Sequence, residues 1–229
     1  MKPLSLFTAA TVALCATGVA AQDSYATVFG GYSDLRDPTF SGVITPPGGQ
    51  QSITSDFGSG FSFGIALGTE IASLSTPSIG VRGELELSYS DSNVDGLGFS
   101  GNGPDAENNV AGDITSTRLF ANVLADVRTN GAFTPYFGAG IGVARTDLGL
   151  SYGAAPGAVN VDDSSTNFSA QLIAGTSYAL RDGVSLFGDV RLIRDFDVTS
   201  DRTSPAGFTG VVSDDIDTTN VNFGVRFNF

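Results

Sequence analysis

The amino-acid sequence predicts an all-β protein, an eight-stranded antiparallel up-and-down transmembrane β-barrel. Two observations carry this. Eight runs alternate between polar and apolar residues with a period of two, and the connections between them alternate between short and long. No stretch after the first twenty or so residues is apolar and long enough for a spanning helix, so any crossing of a membrane falls to strands.

The runs, in order, are 24–33, 59–70, 79–90, 114–128, 134–146, 166–180, 184–196 and 218–229. The first, SYATVFGGYS, is apolar on both parities, and its facing is left open. In the second, Phe61, Phe63, Ile65 and Leu67 share the outward face. The third sends Ile79, Val81, Leu85, Leu87 and Tyr89 outward and Arg82, Glu84 and Glu86 inward. The fourth places Leu119, Ala121, Val123 and Val127 outside, with Arg118, Asn122 and Asp126 inside. The fifth puts Phe137, Ala139, Ile141 and Val143 outside, and its GAGIG segment (138–142) keeps inward positions small, leaving room for a large neighbour such as Arg118 or Phe120. The sixth has Phe168, Leu172 and Tyr178 outside and Gln171 inside. The seventh has Leu186, Val190, Leu192 and Phe196 outside and Asp189 and Arg191 inside. The last sends Val221, Phe223, Val225, Phe227 and Phe229 to one face and Arg226 to the other.

The connections 34–58, 91–113, 147–165 and 197–217 are long, whereas those between the remaining pairs are short. Short turns on one side and long loops on the other are expected of a barrel crossing a bacterial outer membrane with both termini in the periplasm. Aromatic residues near both strand ends suit interfacial girdles. A soluble barrel would put its apolar residues inside.

Charge follows the same division. The four long connections hold 16 acidic residues against Arg36 and Arg202, and the rest of the chain beyond the leader holds eight of each sign. A balanced interior is what a closed polar lumen needs, because buried charge is tolerated when paired. The expected lumen charges are Arg82, Glu84, Glu86, Arg118, Asp126, Asp189, Arg191 and Arg226, with Arg82, Glu84, Glu86, Arg118 and Arg226 as the central network. The net charge of −13 disfavours nucleic acid as a partner.

The amino terminus reads as a secretory signal peptide over 1–21, leaving 22–229 as one barrel domain. Cys15 lies in that leader after Leu14, which disfavours a lipid anchor. No other cysteine follows, so no disulfide is expected.

The alternating end, with Phe223, Val225, Phe227 and Phe229, resembles the signal read by the outer-membrane barrel insertion machinery. The chain from 22 to 229 is similar to the OmpA-like and OmpX-like family of eight-stranded outer membrane β-barrels. The resemblance implies a monomer in the outer membrane. It departs from two-domain OmpA proteins in ending with the barrel, so no tether to peptidoglycan is expected. Enzymatic barrels of this kind rely on histidine as general base, and this chain has no histidine, so no catalytic site is expected.

Arg145 and Arg194 break the outward apolar rule near the loop side, and are candidate contacts for lipopolysaccharide phosphates. The acidic segments at 162–164, 195–201 and 214–217 offer hard oxygen ligands, but none matches a calcium loop. They read as solvated loops, and neither metal nor cofactor is expected. The expected role is structural and interactive: stabilising the envelope and presenting four acidic loops to a surface receptor for adhesion or resistance. A small, low-conductance channel is the alternative.

Overall fold

The computed structural model describes residues 24–37, 39–44, 49–100, 106–107, 110–152, 159–203 and 209–229, so the expected leader lies outside the described residues. The strands are β1 (Ser24–Leu35), β2 (Thr39–Ile44), β3 (Gly49–Phe57), β4 (Gly60–Glu70), β5 (Ile79–Ser100), β6 (Ala106–Glu107), β7 (Val110–Val127), β8 (Phe133–Tyr152), β9 (Val159–Arg181), β10 (Val184–Thr203) and β11 (Thr209–Asn228). Eight of them, β1, β4, β5, β7, β8, β9, β10 and β11, pair antiparallel with their neighbours. β1 closes on β11 in an unbroken register from Tyr25 opposite Asn228 to Leu35 opposite Thr218. Closure leaves no open edge, which is the condition for a sheet to sit in lipid. The end of the chain is held in the same way, by the Phe229 amide donating to the Ser24 carbonyl at 2.9 Å. Between β9 and β10 the turn is two residues long and Gly183 takes φ 73°, a conformation glycine adopts without strain.

The strands are longer than the alternation predicts. β5, β8, β9, β10 and β11 run 20 to 23 residues, where a tilted membrane crossing takes only about 9–11. Much of what reads as loop at 34–58, 91–113, 147–165 and 197–217 is therefore strand. β2 and β3 form a hairpin that continues β1 and β4 beyond a break on each. β2 pairs with β11 at Ser41 and Gly42, and β3 pairs with β5 from Ser52 to Phe57. Past the break β2 and β3 take the places of β1 and β4 between β11 and β5, while beyond Asn93 the other side of β5 pairs with β6 in place of β7. Ten surplus residues carry each strand roughly 30 Å further along its own axis. Acidic side chains hold the hairpin: Thr39 N donates to Asp214 Oδ2 at 2.7 Å, and Phe57 N to Asp37 Oδ1 at 3.0 Å.

The parity expected for each strand is the parity found. Phe223, Ile141 and Leu172 stand 60–70% exposed on the outer wall. The undecided first strand sends Tyr25, Thr27, Phe29, Ser33 and Leu35 inward and Val28 and Tyr32 outward. Girdle aromatics touch on the outer surface: Phe63 and Tyr89 at 5.1 Å, Phe168 and Phe196 at 5.7 Å, and Phe133 and Tyr178 at 4.9 Å at the other end.

Beyond the loop-side girdle the apolar face turns inward. Leu35, Ile114, Val198 and Ile216 form a buried cluster, with Phe57 and Leu148 against it. Val198 reaches the inside because a bulge between Asp195 and Val198, with Asp197 at φ 50°, shifts the parity of β10 by one.

Candidate functional site

Two layers fill the lumen of the ring. The lower one is a continuous polar network to which every strand of the ring contributes. Arg82 on β5 donates from Nε to both oxygens of Asp126 on β7 (3.1 and 2.9 Å), and from Nη1 to the Tyr25 hydroxyl on β1 (2.7 Å). Tyr25 donates in turn to Glu84 at 3.0 Å. Asn122 on β7 bridges Glu84 and Glu86, and Gln171 on β9 donates to Asn122 at 2.8 Å. Arg191 on β10 pairs with Glu86 at 2.5 Å and with Asp189 at 3.0 Å. Asp189 also accepts from Tyr136 on β8 (3.0 Å) and Asn222 on β11 (3.2 Å), while Ser62 on β4 donates to Asn222 at 2.7 Å. Such a web is possible because neighbouring inward residues come from strands with fixed, closed register. Each ionised group keeps partners, which is the condition for burying it.

An upper layer stands apart from this network. Arg118 gives Nε and Nη2 to Asp195, with a closest approach of 2.6 Å, and Nη1 to Ser90 at 2.7 Å. Ser169 donates to the same carboxylate at 2.5 Å. Both members of the pair are sealed, at 1% and 0% exposure of the side chain. Above them lies the apolar cluster of Leu35, Ile114, Val198 and Ile216.

This arrangement corrects the central network expected from the sequence. Arg82, Glu84 and Glu86 belong to the lower layer with Asp126, Asp189 and Arg191, but Arg118 is the centre of a separate pair. Its partner Asp195 falls in the segment read as a solvated acidic loop. The run at 184–196 already takes in Asp195, and its parity, with Phe196 outward, carries Asp195 inward. Arg226 is buried with the others yet forms no ion pair among the described residues; its guanidinium lies 4.9 Å from the Tyr25 ring centroid.

Sequence reading also missed an apolar collar inside the membrane half. Phe29, Leu124, Tyr136, Ile173 and Phe187 cluster there, and Arg191 lies 4.2 Å over the Phe29 ring. The signal was present as apolar residues on both parities of β1 and β7. The inward glycines of β8 serve the packing as expected, with Phe120 as the neighbour: a Cβ on Gly142 would come within 2.8 Å of Phe120 and 2.1 Å of the Leu119 carbonyl oxygen.

On the outer surface, Arg145 pairs with Asp147 at 3.1 Å, and Arg194 forks onto Asp217 at 2.6 and 2.7 Å, with Arg36 also on Asp217 at 3.7 Å. Beyond the girdle, partial burial and then Asp113 push the Asp91 carboxyl above its usual range. Phe223, Phe227 and Phe229 stand on the outer face of β11, with Val225 half-buried between them. Among the described residues no group of three histidine, cysteine or acidic side chains is placed to hold a metal ion.

A family profile described as outer membrane protein beta-barrel domain matches residues 7–229. Among solved structures, the chain is similar to the outer membrane protein OprG from Pseudomonas aeruginosa. The identity is 18%, the TM-score 0.60, and the match covers 91% of this chain and 98% of that one. Neisserial surface protein A matches at 16% identity and TM-score 0.51, over 90% of this chain and 97% of that one. The outer membrane protease OmpT from Escherichia coli matches at 9% identity and TM-score 0.51, over 92% and 98%. At these identities the likeness is one of fold. A search of curated proteins returns no match.

Proposed function

The chain belongs to the outer membrane protein beta-barrel family, its place is the outer membrane, and from that premise we propose that it is a closed envelope scaffold. Its role is to stabilise the membrane and to hold an acidic β-walled extension at the cell surface, where a receptor is engaged for adhesion or resistance. The observation that carries this reading is the lower lumen network, because it ties side chains from all eight strands across the bore. A conducting path would need these pairs to part, and the apolar cluster above them disfavours water in the second layer. With the termini at the short-turn end, that end faces the periplasm and the extension faces outward.

Three subsidiary readings go with it. Catalysis is not part of the role, since the chain lacks histidine and the buried carboxylates are engaged by arginines and amides. Arg145 and Arg194 contact lipopolysaccharide phosphates in competition with Asp147 and Asp217; Arg36 strengthens the second place, because two arginines there share one acid. Phe223, Val225, Phe227 and Phe229 are read by the insertion machinery during assembly.

Conductance of the refolded protein in a planar bilayer tests the main reading. A silent, protease-resistant barrel is the expected result. Steady, salt-dependent openings from the same barrel would replace the scaffold with a low-conductance channel. For the lipid contact, charge removal at both Arg145 and Arg194 lowers the lipopolysaccharide-dependent folding yield; an unchanged yield removes it.

A further inference from the structure

We propose that the turn-side mouth of the barrel binds a phosphate-like oxyanion between Arg82 and Arg226. A recess of about 350 Å³ opens there, lined by Tyr25, Glu70, Arg82, Asp126, Arg226 and Phe229 among others. Arg226 is only 9% exposed, forms no ion pair among the described residues, and its Nε has no hydrogen-bond partner. Arg82 lines the same recess, and its buried Nη2 is also without a hydrogen-bond partner. The two guanidinium groups share two aromatic rings: they lie 5.3 and 4.9 Å from the Tyr25 centroid, and 5.0 and 5.9 Å from that of Tyr136.

The acids around this mouth are already engaged. Both oxygens of Asp126 accept from Arg82 Nε, Glu84 accepts from Tyr25, Arg82 and Asn122, and Glu70 is paired with Arg128. Ring faces attract a cation but offer no acceptor in the plane of its N–H groups. A buried guanidinium left without an acceptor is costly. A tetrahedral oxyanion seated in the recess supplies an acceptor to the Arg226 guanidinium, and it compensates a second positive charge beside Arg82. The same chemistry is offered by free phosphate and by the headgroup of an anionic lipid at the rim.

The test uses the refolded barrel in vesicles, with heat stability as the readout. In zwitterionic vesicles, inorganic phosphate titrated against chloride at constant ionic strength is expected to raise the unfolding temperature saturably. If instead phosphatidylglycerol vesicles give the rise and free phosphate does not, the ligand is a lipid headgroup at the same site. Arg226→Gln is expected to weaken the response by about tenfold or more. Should that variant fail to refold, Arg226→Lys, which keeps the charge but loses the fork, weakens it less and serves instead. Asp126→Asn, which removes a competing acceptor, tightens it. An equal effect of chloride and phosphate with no response to phosphatidylglycerol, or a half-saturation unchanged in both Arg226 variants, overturns the proposal.

Discussion

The membrane half of the barrel and its extension share one wall but solve burial in opposite ways. In the membrane half, Leu119, Ile141, Leu172 and Phe223 face out and the lumen holds Arg82, Glu86 and Arg191. In the extension, Leu35, Ile114, Val198 and Ile216 face in. Antiparallel strand pairing continues on both sides of the girdle, and the difference lies in what surrounds the wall. Lipid rewards apolar residues outside and leaves the polar ones to pair with each other inside. Water reverses that preference, and the extension turns its apolar side chains inward as a soluble domain does. The loop-side girdle, with Phe63 against Tyr89 and Phe168 against Phe196, marks where one rule gives way to the other.

The largest effect is expected where a buried charge loses its partner. Asp195→Ala leaves Arg118 sealed and uncompensated, which costs about 3–5 kcal/mol, whereas replacing both by Leu and Met restores most of the loss. Denaturant unfolding from lipid vesicles reads both; a cheap single substitution would mean that the pair is wet. Next, Ile216→Ala opens a cavity in the extension's apolar core and costs about 2–4 kcal/mol. Limited proteolysis should then cut the extension while the membrane half stays intact. If the whole barrel is lost instead, the two halves unfold as one unit.

A third contrast lies along β8. Gly142→Ala in the membrane half sets a Cβ against the Leu119 carbonyl oxygen, and the backbone must move, at about 1–3 kcal/mol. Gly149→Ala in the extension meets nothing within 4 Å and should stay within about 0.5 kcal/mol of the parent. Equal effects would show that the wall yields at Gly142 without cost. The smallest effect concerns Asp91. Its folded carboxyl titrates above the unfolded value, so ionisation disfavours the fold above that range and stability recovers as pH falls through it. Asp91→Asn is therefore more stable than the parent at pH 7, and the gap closes on acidification; a gap that is flat with pH would assign it to packing.

Much of the membrane half was legible in the chain, because one apolar face in lipid forces a period of two that survives to the last residue, Phe229. Glu84, Glu86 and Arg191 could be placed inside by parity alone. The extension was harder to read. Segments such as DSNVDGLGF at 91–99 are polar and glycine-rich, and their strand pairing rests on neighbours from distant parts of the chain, as when β3 meets β5. Asp195 shows the consequence. Its sequence neighbours are acidic and loop-like, and although alternation up to Phe196 sets its parity, only the register around the ring makes it the partner of Arg118, 77 residues away.

The sequence by itself determined the eight strands of the ring, the outer face of all but the first, and the balance of lumen charge, because all three follow from local alternation and from composition. The tertiary structure decided which charges meet, where the wall continues past the membrane, and that Arg226 is buried without an ion pair among the described residues. Those outcomes depend on register around a closed ring, and register sums small choices of every turn and bulge that no single strand records.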